Sequence, residues 1–389
     1  MGRLMPVVML VVGTRPEAIK MAPVAQAIQA CPALSLHLCA SGQHDEMLFQ
    51  ALSLFDLTPD SNLAVMRPAQ TLNGLMQAMI QALDQDMSRV APDLVMVHGD
   101  TATCFAASLA AFHRRVPVAH VEAGLRTGNI ASPWPEEAYR SMVARIAQRH
   151  YAPTASARHN LLREQVAPDS ILVTGNTVID ALAWMKSRLD HQGYRPAAPS
   201  PLAALRDDAR LVLITGHRRE NHGDGIRTIC TAIAALAARY PDVDLVYPVH
   251  LNPAIKDVVE HALAGIPNVL LVPPQDYRDF VWLMGRACLI LTDSGGIQEE
   301  APALGVPVLV MREHTERSDA LSAGTVILTG SDSDAIVAAS TRLLDDEKAR
   351  RRMAAIPNPY GSGNAARQII EDLNDWLVRA VETLEAGDA

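Results

Sequence analysis

Short, continuous runs of aliphatic and β-branched residues recur along this 389-residue chain, and each is followed by a longer stretch with helical spacing. That alternation narrows the fold. A strand that is apolar along its whole length is buried on both faces, and a parallel sheet with helices on either side covers it. Strands are read at Val7–Val12, Leu34–Ala40, Leu94–Val97, Val116–His120, His150–Ala152 and Ile171–Thr174 in the first half. In the second half they fall at Leu211–Thr215, Val243–Val249, Val269–Val272, Leu289–Thr292, Pro307–Val310 and Thr325–Leu328. Helical spacing fills the intervals, as at Pro16–Gln29, Leu72–Val90 and Thr101–His113.

The chain is too long for one ordinary core. A polar, proline-rich stretch from His191 to Pro201 divides it, and nothing similar interrupts either half. The expected class is α/β: two Rossmann-like, doubly wound parallel-sheet domains facing each other across a cleft. The first would span 1–190 and the second 191–364. A final helix over 365–389, with Ile369, Ile370, Leu373, Trp376 and Leu377 on one face, would pack back on the first domain.

Composition removes several function classes. Hydrophobic residues are 49% and charged residues 20%, so the chain is globular. Its net charge of −9 argues against a general nucleic-acid surface. The five cysteines are widely spaced and odd in number, which suits reduced thiols rather than disulfides or zinc. The apolar run Val7–Val12 is too short for a signal or membrane segment, so a cytoplasmic protein is expected.

Open parallel sheets bind ligands at the carboxyl ends of their strands. The distinctive polar residues lie there: Arg15 and Lys20 after the first strand, Gln43 and His44 after the second, His98-Gly99-Asp100-Thr101 after the third, and Glu122 to Arg126 after the fourth. In the second half, Gly216-His217-Arg218-Arg219-Glu220 and Asp293-Ser294-Gly295-Gly296 hold equivalent places. Ser294-Gly295-Gly296 opens a helix, where free amides and the helix dipole favour an anion, with Glu300 a turn later in reach of a ribose. A serine cap with close-packing glycines would use the same residues. There is no Gly-x-Gly-x-x-Gly after the first strand and no Walker loop. Asp100 reads either as a helix cap or as a catalytic acid. Glu136 reads either as the partner of Arg140, four residues on, or as an acid held in the proline-bracketed loop Ser132 to Glu137. With Glu122, which has no evident capping duty, these acids suggest proton transfer rather than metal binding.

Several segments together resemble one family. Gly13-Thr14-Arg15-Pro16-Glu17-Ala18-Ile19-Lys20, Val97-His98-Gly99-Asp100-Thr101, His120-Val121-Glu122-Ala123-Gly124-Leu125-Arg126-Thr127, Ser132-Pro133-Trp134-Pro135-Glu136-Glu137, Gly216-His217-Arg218-Arg219-Glu220 and Thr292 to Glu300 are similar to the non-hydrolysing UDP-N-acetylglucosamine 2-epimerases. The likeness continues through Asn358-Pro359-Tyr360-Gly361. It implies a glycosyltransferase-B-like fold, a homodimer, no nicotinamide and no obligatory metal. Arg15, His217, Ser294, Gly295 and Gly296 would hold the diphosphate, Glu300 the ribose, and Phe280 would lie by the uracil. Asp100, Glu122 and Glu136 would carry the proton transfers, with His217 counted among the catalytic groups and Lys20, His44 and Arg140 in support.

The implied reaction converts UDP-N-acetylglucosamine to UDP-N-acetylmannosamine by loss and return of UDP through bound 2-acetamidoglucal. A C2 epimerase of a 2,3-diacetamido uronic UDP-sugar and a glycosyltransferase of the same fold are the alternatives. Three positions depart from the family pattern: Tyr139, Ser362 and Ala69. Gln43 and Gln70 match a regulatory second site, but Ala69 replaces an arginine there, so only weak substrate activation is expected.

Overall fold

The computed structural model describes residues 5–42, 45–216, 218 and 223–387, with only the backbone path at 45 and 378–387. Thirteen strands are present among them: β1 (Val7–Val12), β2 (Ser35–Ala40), β3 (Ser61–Asn62), β4 (Leu94–His98), β5 (Val118–Val121), β6 (Arg149–Ala152) and β7 (Ile171–Val173), then β8 (Arg210–Thr215), β9 (Val243–Pro248), β10 (Val269–Val272), β11 (Ala287–Thr292), β12 (Val308–Val310) and β13 (Val326–Leu328). Each apolar run forms a strand, with ends shifted by a residue or two. The run from Val116 starts late because the Val116 amide closes the preceding helix on the Ala111 carbonyl, at 2.9 Å, and Pro117 has no N–H to give. β3 escapes sequence reasoning because two polar residues carry no apolar pattern.

The strands form two sheets, ordered β3-β2-β1-β4-β5-β6-β7 and β10-β9-β8-β11-β12-β13, and every pairing is parallel. In each sheet the order reverses beside its first strand, and such switch points are where open α/β sheets take ligands. In the first sheet the switch lies between β1 and β4, and in the second between β8 and β11.

The chain divides into two compact units, one running to Ala181 and resuming at Tyr360, the other Leu182–Pro359. Along the sequence, the first division falls inside helix Thr177–His191. With aromatics at only 4%, both cores are mainly aliphatic. Met9, Val11, Met79, Leu83, Val95 and Val97 anchor the first, and Val212, Ile214, Ile229, Ile233, Leu289 and Leu291 the second. Within the first unit, the C-terminal helix Ala365–Gly387 is tied down by charge as well as by packing. Asp372 accepts from Arg149 Nε at 3.1 Å, from Arg149 Nη2 and from the Tyr151 hydroxyl at 3.0 Å. The Ala365 and Ala366 amides donate to the Asp180 carboxylate at 3.2 and 2.9 Å.

Candidate active site

In the first unit, β1 runs into a capping box. Thr14 caps helix Arg15–Ala30, and Glu17 reaches back to the Gly13 and Thr14 amides at 3.0 and 2.8 Å. Glu17 is buried, and its other oxygen accepts the Thr101 hydroxyl at 2.6 Å, joining the loop after β1 to the loop after β4. Both loops border the switch point. The turn leaves no room at Gly13, where a Cβ would come within 2.0 Å of Thr103 Oγ1. Half-buried Arg15 and Lys20 follow on the same helix.

The capping alternative for Asp100 is not the one realised. Thr101 caps helix Ala102–His113, accepting the Cys104 amide at 3.1 Å. Asp100 instead pairs with Arg140 Nη2. The Glu136–Arg140 pair that the spacing allows is not made either, because Arg140 faces Asp100 and, at 3.6 Å, Glu137. Glu137 also accepts the Thr127 and Gly128 amides, each at 3.0 Å, and so pins the loop that leads into helix Glu136–Ile146. Glu136 is left half-buried in the first turn, with no hydrogen bond or ion pair among the described residues. Tyr139, one of the departures from the family pattern, stacks on Phe105 with ring centroids 5.2 Å apart. That contact packs the two helices together and accounts for an aromatic residue there.

Glu122 sits just past β5 with φ at +62°, a left-handed conformation that costs a non-glycine residue roughly 1–2 kcal/mol. The cost is met by what surrounds its carboxylate. Lys20 Nζ lies 2.5 Å from Oε2, Asn176 Nδ2 donates to it at 2.8 Å, and His98 Nε2 stands 3.6 Å away. Burial pushes the Glu122 carboxyl up, but Lys20 and His98 outweigh it and hold the group well below the usual carboxylate range. Glu122 is therefore an anion kept mostly from water, at 10% side-chain exposure. Burial pushes neighbouring His120 down to about 3, so its ring is neutral and its Nε2 donates to the Gly99 carbonyl at 2.7 Å.

In the second unit, Ser294 precedes helix Gly295–Glu300, but its hydroxyl makes no capping bond. The serine-cap alternative is thus not realised, and the hydroxyl is not committed to its own helix. Gly295 packs closely, since a Cβ there would stand 3.3 Å from both the Arg317 and Glu316 side chains. Glu316 gathers Arg218 at 3.2 Å, Arg312 at 2.9 Å and Arg317 at 3.4 Å. Burial raises its carboxyl, yet these cations, Arg317 foremost, hold it down at about 2. Asp293 accepts the Arg218 amide at 2.9 Å, so the loop after β8 is fastened beside the Ser294-Gly295-Gly296 turn. Glu300 is buried and accepts the Tyr277 hydroxyl at 3.1 Å. Half-buried Phe280 lies one turn along from Tyr277, on helix Tyr277–Arg286.

Gln43, His44 and His217 lie outside the described residues. Gln70 is described, and its Oε1 accepts the Arg67 amide at 3.2 Å. Sequence reasoning passed over Asn176, His98 as a residue in its own right, Glu17 and Glu316. The rule that found the others, a polar residue just past a strand, would have found Asn176 after β7. Its neighbour Gly175 packs on the Tyr360 carbonyl, which also accepts the Asn176 amide at 2.7 Å.

The family model for UDP-N-acetylglucosamine 2-epimerase matches residues 26–374. The chain belongs to the UDP-N-acetylglucosamine 2-epimerase family. The Yersinia pestis UDP-N-acetylglucosamine 2-epimerase is 50% identical over 372 residues, 95% of this chain and 99% of that one. The Salmonella typhimurium enzyme of the same name is 50% identical over 372 residues, with the same shares covered. A crystal structure of the Neisseria meningitidis UDP-GlcNAc 2-epimerase bound to UDP-GlcNAc is 47% identical with a TM-score of 0.87, over 94% of this chain and 99% of that one. The two parallel-sheet units thus have the glycosyltransferase-B-like fold of the 2-epimerase family. Among the described residues, no helix is long and apolar enough to cross a membrane.

Proposed function

We propose that the chain interconverts UDP-N-acetylglucosamine and UDP-N-acetylmannosamine by eliminating UDP and adding it back through bound 2-acetamidoglucal. Likeness to the 2-epimerases over nearly its whole length supports this reading above a glycosyltransferase or a diacetamido uronic epimerase. The single observation that carries the chemistry is Glu122, an anion held in place by Lys20, Asn176 and His98 at the carboxyl edge of a parallel sheet.

The C2 proton is not next to a carbonyl, so it must be made acidic by a prior event. Cleavage of the C1–O bond sends its electron pair to the UDP phosphate and leaves C1 electron-poor. A carboxylate then takes the C2 proton, and the C–H pair becomes the C1–C2 double bond. Delivery of a proton to the other face of C2 and return of the phosphate oxygen to C1 complete the inversion. The second unit supplies Ser294, Gly295 and Gly296, with His217, for the diphosphate, Glu300 for the ribose and Phe280 for the uracil. Fixed dipoles and cations aimed at the leaving phosphate are the largest source of help for such a step. The first unit supplies Arg15 for the diphosphate and Asp100, Glu122 and Glu136 as acid and base, with Lys20, His44 and Arg140 placing charge around them. The Ser294 hydroxyl, which makes no capping bond, and the Glu136 carboxylate, unpaired among the described residues, support these assignments.

The same reading makes the protein a cytoplasmic homodimer. It also leaves substrate activation through Gln43 and Gln70 weak, for want of an arginine at Ala69. Incubation with UDP-N-acetylglucosamine, followed by proton NMR, should show UDP-N-acetylmannosamine growing to a fixed ratio. Release of free N-acetylmannosamine as the main product would overturn the reading.

A further inference from the structure

His98 ends β4 and is 4% exposed, yet neither ring nitrogen has a hydrogen-bond partner among the described residues. Leaving a buried polar group unsatisfied costs about 1–3 kcal/mol, so an arrangement that retains one needs a reason. The ring is next to one feature that supplies it. Its Nε2 stands 3.6 Å from Glu122 Oε2, the oxygen that Lys20 and Asn176 also engage. Glu122 Oε1 accepts no hydrogen bond among the described residues, and it faces Gly99 closely enough that a Cβ there would stand 3.9 Å from it. Among the described residues, the carboxylate is therefore held by one oxygen and has no donor at the other.

We infer that His98 is a positioning residue for Glu122: with Lys20 and Asn176 it fixes Oε2 and leaves Oε1 as the atom that exchanges the proton. The inference rests on the proton-transfer role proposed for Glu122 and assigns that role to one atom. At 3.6 Å the ring acts through its field and tightens to a hydrogen bond with a shift of well under an ångström. The charged and titratable groups around it are Glu17 and Lys20 from helix Arg15–Ala30, and His120 and Glu122 from β5 and the loop after it. Glu17 is committed to four donors, from Gly13, Thr14 and Thr101, and His120 to the Gly99 carbonyl, so Glu122 is the acid left for His98 to serve.

The sign of the effect follows. A donor on Oε2 stabilises the anion, so its removal raises the Glu122 pKa and moves the acid limb of the kcat profile to higher pH. The full-length His98→Ala enzyme should lose about tenfold or more in kcat, with KM for UDP-N-acetylglucosamine within about twofold and the acid limb raised by ~0.5 pH units or more. His98→Gln, which keeps a donor, should recover most of kcat and return the limb toward wild type. An unchanged kcat and limb in His98→Ala would overturn the inference, as would a His98→Gln enzyme that is folded and as slow as His98→Ala. If His98→Ala does not fold, the rate of His98→Gln decides alone. Deuterium uptake at C2 by the wild-type enzyme keeps the two claims apart: its absence would sink the reaction itself, whereas its presence with unaffected His98 variants would sink only the role of His98.

Discussion

Asp100→Asn, Glu122→Gln and Glu136→Gln enzymes are each expected to turn over about 10²-fold or more slowly while still binding UDP, because a positioned acid or base contributes on that scale. The three substitutions keep shape and remove charge, so they separate chemistry from packing. Asp100 is the partner of Arg140, and an asparagine there still accepts from the guanidinium. Glu122→Gln leaves Lys20, at 12% side-chain exposure, beside a neutral amide, so its loss should be the largest of the three. Among the described residues Glu136 has no hydrogen-bond or ion-pair partner to lose, so a fall in kcat in that variant does not report a broken ion pair among them. Ser294→Ala and Glu300→Gln should behave in the opposite way, weakening UDP itself in a calorimetric titration. Near-wild-type turnover in all three acid variants would remove the first unit's acids from the chemistry.

Asp372→Ala should destabilise the protein by about 1–3 kcal/mol, because it strips a partly buried ion pair and removes the acceptor of a buried hydroxyl. Arg149 is 14% exposed at its side chain and, among the described residues, would keep the Asp169 carbonyl alone, at 2.7 Å. The Tyr151 hydroxyl, on a residue 1% exposed, would lose the acceptor that now lies at 3.0 Å. Its loosened helix packs against helix Arg15–Ala30, which carries Arg15 and Lys20, so activity should fall at temperatures below the unfolding transition. Urea unfolding followed by circular dichroism measures the first effect. A change of under about 1 kcal/mol would mean that apolar contacts such as Ile369 and Leu373 hold the helix without the charge pair.

The sheets were legible because most of their strands are largely apolar, and a continuous run such as Val7–Val12 has few other places to go. The site was legible in part for the same reason: a polar residue just past such a run, such as Asp100 or Glu122, stands out. What sequence could not show is which polar residue answers to which. Thr101, not Asp100, caps its helix, and Arg140 pairs across to Asp100 rather than along its own helix to Glu136. Asn176 and Lys20 meet at one oxygen of Glu122 from far apart in the chain. Those pairings depend on the order in which strands lie in the sheet, and no local pattern encodes that order. β3 was lost because two polar residues carry no apolar pattern.

The central claim is that a carboxylate takes the C2 proton while UDP is detached, and that the proton is free to exchange before it is returned. Turnover in D2O tests it most directly. The account predicts deuterium at C2 of both UDP-N-acetylglucosamine and UDP-N-acetylmannosamine, read by NMR and mass spectrometry as the equilibrium is approached. Epimerisation with the original hydrogen fully retained at C2 would contradict it.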